Sequence, residues 1–147
     1  MKWAALILWV LTALGGFGLL AIWLQRGGLK QADQPGRRIR PPLIFTHMGL
    51  AATGLVLWII YVASDSDGFA WVAFALLLGV ASLGFGMLAL WLQRRQAAPA
   101  VAGVASVEEG GRPAEQHFPV PIVVAHGLAA ATTLVLVLLA SAGVGGS

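Results

Sequence analysis

The sequence predicts an all-α fold: an integral membrane four-helix bundle assembled from two tandem two-helix repeats. Three observations predict it. Composition comes first: 59% of residues are hydrophobic, only 10% are charged, and mean hydropathy is +0.85. Soluble domains carry about a quarter charged residues, and a core of ordinary size could not hide this much apolar surface, so lipid is the expected solvent. Second, the apolar residues fall in four long runs, each near the roughly 20 residues a spanning helix needs. Third, the chain repeats itself. Gly16 to Arg26 (GFGLLAIWLQR) recurs as Gly84 to Arg94 (GFGMLALWLQR), identical at nine of eleven positions at an offset of 68. His47 to Leu57 (HMGLAATGLVL) recurs as His126 to Leu136 (HGLAAATTLVL), identical at seven of eleven at an offset of 79, with Pro42 matched to Pro121. The whole chain, 1–147, reads as one membrane domain, with repeat one at 1–66 and repeat two at 67–147.

The first helix is expected over 3–24, a charge-free run longer than the core of a secretory signal and without a small-residue cleavage site after it, so it is expected to be retained. The loop to Pro42 is basic and rich in glycine and proline. Pro41 and Pro42 suit a helix entry, where the missing N–H has no intrahelical acceptor anyway. The second helix is expected over 43–63, ending at the acidic Ser64–Gly68 connection, which is short enough for a tight antiparallel hairpin. The third covers 69–92, followed by a long loop to Gln116. The fourth covers 118–140, followed by a tail of small residues.

Eight of the nine Lys and Arg lie in the loops joining helices one to two and three to four, whereas the central hairpin holds only Asp65 and Asp67. Cytoplasmic loops are enriched in Lys and Arg, so loops 25–42 and 93–117 are expected in the cytoplasm of a bacterial inner membrane, with both termini outside. Placed in these loops, the basic charge (net +3) suits topology better than nucleic-acid binding, and lipid and other membrane proteins are the expected partners. Trp23 and Trp91 are expected as anchors at the cytoplasmic interface, and Trp3, Trp71 and Tyr61 at the outer one. An even number of spans per repeat gives both copies one orientation, hence a pseudo-two-fold axis along the membrane normal. His47 and His126 then share a depth, each five residues, or about 7.5 Å, beyond its proline.

No Asp, Glu, Lys or Arg lies between the ends of the four spans. His47 and His126 are the ionisable side chains at depth, and such groups face a bundle interior and mark function. Two neutral imidazoles from parallel helices could ligate one haem b iron from both faces, in a slot left by Gly16, Gly18, Gly84 and Gly86. Arg26, Arg40, Arg94 and Arg95 are candidates for haem propionates or for anionic lipid headgroups. Here the chain resembles the b-type cytochrome subunits that anchor redox complexes in bacterial membranes, in its four-span layout and histidine pair. Such subunits often use four histidines for two haems. Two histidines imply one haem, and electron transfer completed by a partner. In composition the chain also resembles small membrane proteins of high-GC bacteria.

The competing readings are polar packing and transport. In the first, the histidines bond a carbonyl or a hydroxyl of a neighbouring helix, with Thr46, Thr53 or Thr132 as partners, and the chain is a structural or assembly subunit without cofactor. The glycines then serve close helix approach. The second, a small transporter, is similar to small multidrug exporters in span number, but those couple protons through a membrane acid that is lacking here. Zinc wants about four ligands and the membrane layer offers two. His117 is expected as a solvated loop residue, and with no cysteine there is no thiolate site. Nothing matches a hydrolase nucleophile, a phosphate loop or a dinucleotide fingerprint, so catalysis by this chain alone is not expected.

Overall fold

The computed structural model describes residues 1–31, 39–97 and 113–144. They form α1 (Lys2–Gln25), α2 (Pro41–Ser64), α3 (Asp67–Ala97), a 3₁₀ turn (Ala114–His117) and α4 (Val120–Ser141). All four α-helices are long and apolar enough to cross a membrane. Pro41 and Pro42 open α2, and Pro121 sits in the first turn of α4, where no N–H is needed.

The main departure from expectation is α3, which runs five residues past the expected end at Leu92 and puts Arg94 and Arg95 on the helix. The cause lies just after the repeated motif. Gly27 ends α1 with a positive φ of 77°, its N–H donating to Leu24 O, and the Gly28 N–H returns to Trp23 O. This is the paired-bond glycine cap. The equivalent positions in the second copy are Arg95 and Gln96, which continue a helix and place positive charge at its negative end.

The helices form a ring in which α2 packs most extensively on α3 and α1 on α4, leaving α2 and α4 on a diagonal. One end, holding Met1 and the α2–α3 turn, is called the terminal end. The other is the basic end. Packing is dense toward the terminal end, where Ala5, Trp9, Trp58, Tyr61, Ala70, Ala73, Leu77 and Val137 form the core. Trp58 is its centre, 6.4 Å from Trp9 and 4.8 Å from Tyr61 between ring centroids, with its N–H donating to Lys2 O. Gly54 admits Trp9, whose ring lies 3.1 Å from where a Cβ would be. Lys2 pairs with Asp65, the left-handed residue closing α2.

Buried positions recur at both sequence offsets. Ala5 and Ala73, Trp9 and Leu77, Thr12 and Val80, and Trp23 and Trp91 are 68 apart. Gly54 and Thr133, Trp58 and Val137, Tyr61 and Ala140, and Val62 and Ser141 are 79 apart.

The basic end is closed by a plug rather than by interface anchors. Trp23 and Trp91, expected to face the lipid boundary, are 0% and 4% exposed. Gly28 lies flat against the Trp23 indole, and the 3₁₀ turn covers Trp91, whose N–H donates to Glu115 O at 3.1 Å. The Ala114 N–H donates to Gln31 Oε1, tying the two loops together. Between core and plug lies a layer of a different kind. No residue in 13–22, 41–53, 81–90 or 120–132 is fully buried. Over about 15 Å of helix, even inward-facing side chains stay half-exposed.

Candidate functional site

Both histidines lie in this loosely packed layer, and both are half-buried. His47 on α2 has Nδ1 3.0 Å from Val80 O on α3, and His126 on α4 has Nδ1 3.0 Å from Thr12 O on α1. A carbonyl oxygen only accepts, so each Nδ1 carries the hydrogen and donates it. Each Nε2 is then a bare lone pair, and neither has a hydrogen-bond partner among the described residues.

The repeated glycine explains how a ring reaches a helical carbonyl that is already in use. Gly16 follows Thr12 by four residues, and Gly84 follows Val80 by four, so each glycine N–H is the carbonyl's own helical donor. Without a Cβ there, the imidazole can approach the same oxygen from the side. A Cβ on Gly16 would stand 3.1 Å from His126 Cε1, and one on Gly84 would stand 3.3 Å from His47 Cε1. Gly15 also borders His126. Gly18 and Gly86 are exposed, and a Cβ on either would meet nothing within 4 Å.

Neither histidine bonds a threonine hydroxyl, and two of the three threonines expected as partners bond within their own helices. Thr53 and Thr132 donate to their own helices at Gly49 O and Leu128 O, because a hydroxyl on a helix reaches the carbonyl one turn back before it reaches a neighbour. Thr12 and Thr133 were not among those expected partners. Their hydroxyls bond across α1 and α4 at 3.3 Å, beside the His126 contact.

The four arginines differ in setting. Arg26, Arg40 and Arg95 are exposed, and Arg95 stacks over the Trp91 ring at 5.0 Å. Arg94 is half-buried, and its Nε is enclosed without a partner among the described residues. His117 is not a solvated loop residue: it ends the 3₁₀ turn, half-buried, with Nδ1 enclosed and unpartnered among the described residues. The turn also carries Glu115, 1% exposed, whose two carboxylate oxygens have no hydrogen-bond partner among the described residues. Nothing local forecasts this burial, since Glu115 stands in a polar stretch.

Chemically, the layer offers two nitrogen lone pairs from diagonal helices and no carboxylate or thiol beside them. No group of three or more His, Cys, Asp or Glu able to hold a metal occurs among the described residues. Two donors are too few for a bare zinc ion. A metal that brings its own equatorial ligands needs only the two axial ones. No protein-family model matches the chain, and no curated protein or solved structure matches it.

Proposed function

We propose that this chain is a small integral membrane subunit that holds one haem b between His47 and His126. One observation carries the reading: each imidazole is oriented by an Nδ1–H bond to a backbone carbonyl while its Nε2 is left free, twice, in the one layer where inward-facing residues are not packed shut. A second bond of that kind is how metal-ligating histidines are held in tautomer and orientation. Bound haem would supply one-electron exchange to a partner protein, and the chain's own part would be to hold it through the His47 and His126 Nε2 nitrogens.

The architecture proposed with it is a two-span unit duplicated in tandem, its copies related by a pseudo-two-fold axis along the membrane normal. The paired bonds support this, because their acceptors, Thr12 and Val80, differ by 68 in number and their donors by 79, the offsets of the repeats. Charge supports a bacterial inner-membrane setting with the basic loops cytoplasmic and the termini outside.

A second reading has its own observation. Each ring also joins two helices against a glycine, a contact worth about 1 kcal/mol in a bilayer without any ligand. On that reading the chain is a cofactor-free assembly subunit. An absorption spectrum separates the two. Protein extracted from haem-supplied cells should show a Soret band that is lost in His47→Ala and in His126→Ala. A colourless preparation that takes up no added haem refutes the haem reading.

A further inference from the structure

We infer that the bundle is hinged: α1 with α4 and α2 with α3 are two rigid pairs, joined by the terminal-end core and latched at the basic end by the 3₁₀ turn. Release of the latch parts them at the histidine layer, a motion that needs no ligand. Contacts within each pair run through that layer. Gly15 and Gly16 of α1 border His126 of α4, and Gly79 and Gly84 of α3 border Leu50 and His47 of α2. Both histidine bonds lie inside a pair as well, as does Thr12–Thr133. Between the pairs the layer is bare. Among the described residues no hydrogen bond in 13–22, 41–53, 81–90 or 120–132 passes from one pair to the other, and no residue there is fully buried.

The pairs meet at the two ends instead. At the terminal end the core draws on all four helices, Gly54 of α2 takes the Trp9 ring of α1, and the Trp58 N–H donates to Lys2 O. Lys2–Asp65 ties α1 to α2 beside them. At the basic end the 3₁₀ turn packs on both α1 and α3. It leads into α4 and is tied to the chain behind α1 by Gln31, so it belongs with that pair. It reaches the other pair through the Trp91 N–H, which donates to Glu115 O. Of the neighbouring helices, α1 and α2 pack least extensively, so their seam parts first. A region with few buried contacts opens at lower free energy than a packed core, which sets the pivot at the terminal end. The latch itself is weak, because closing it buries the Glu115 carboxylate without a partner among the described residues, a costly placement.

The chain has no cysteine, so pairs of spin labels can be placed on the full-length protein in lipid nanodiscs and their distances read by pulsed electron paramagnetic resonance. Leu24→Cys with Phe45→Cys reports the α1–α2 seam in the basic half, and Ile7→Cys with Ile60→Cys the same seam at the terminal end. Phe45→Cys with Leu92→Cys reports the distance within one pair; all these sites are exposed. The first combination should show a shorter and a longer distance. Trp91→Phe, which removes the N–H, should raise the ratio of longer to shorter roughly two- to tenfold, as loss of one hydrogen bond implies. Glu115→Gln should lower that ratio. The other two combinations should keep one distance throughout. A single, unchanged distance for the first combination in both wild type and Trp91→Phe overturns the inference. So does an equal broadening of all three in Trp91→Phe, which would be general loosening, or a longer component that grows in Glu115→Gln.

Discussion

Gly16→Ala is the sharpest probe of the histidine layer, because its effect does not depend on any ligand. The added Cβ would sit 3.1 Å from His126 Cε1, inside the normal contact distance, so the ring must move. Overpacking of this kind costs about 1–3 kcal/mol, and displacing the ring also strains a bond to Thr12 O worth about 1 kcal/mol. Opposing both, alanine is favoured over glycine in a helix by about 1 kcal/mol. The expected net loss is about 1–3 kcal/mol. Gly84→Ala, with 3.3 Å to His47 Cε1, should cost roughly half as much. Gly18→Ala and Gly86→Ala meet nothing within 4 Å and should be neutral or stabilising by up to about 1 kcal/mol. The assay is reversible unfolding in mixed micelles, run as a double-mutant cycle with His126→Ala. With the imidazole removed, Gly16→Ala should lose its penalty. A penalty that persists in the His126→Ala background, or a Gly16→Ala no worse than Gly18→Ala, refutes the assignment of this glycine to the histidine.

Two further predictions concern the plug at the basic end. Glu115→Gln removes charge from two buried oxygens that have no partner among the described residues, and should stabilise the protein by about 1–2 kcal/mol, read as a rise of a few degrees in thermal midpoint; a fall would show that the carboxylate has a favourable partner. Gly28→Ala would put a Cβ 2.2 Å from the Trp23 ring, so the α1 cap must open at a cost of about 2 kcal/mol or more; tryptophan emission should shift to the red, and an unchanged spectrum and midpoint would contradict the packing described.

Much of the candidate site was legible, but in a particular way. The depth of His47 and His126 follows from proline spacing and helix rise, which are local quantities. The identity of their partners was not legible. A backbone carbonyl has no letter in the sequence, so Thr12 and Val80 could be found only from the spatial pairing of α1 with α4 and α2 with α3. There was one readable trace of it, the glycine kept in both copies four residues after each acceptor. Trp23 and Trp91 show the opposite case. Their place at a span's end suggested a lipid boundary, but the loops fold back over them, and nothing local to a Trp-Leu-Gln-Arg motif says which way the indole turns.

The number of helices and their capacity to cross a bilayer are written in the linear pattern. Both depend on long charge-free runs broken by proline, glycine and charge, and so on properties additive along the chain. Even the uneven lengths of α1 and α3 were in principle written there, as Gly27 and Gly28 against Arg95 and Gln96. Three-dimensional assembly was needed to set which helices are neighbours, that packing is tight at one end and loose at the histidine layer, and that Arg94 is enclosed while Arg26 is not. These are differences in packing between segments of almost the same composition. Near-identical stretches such as 16–26 and 84–94 cannot encode them, because burial is set by what the other helices and loops place opposite each residue, not by the residue itself.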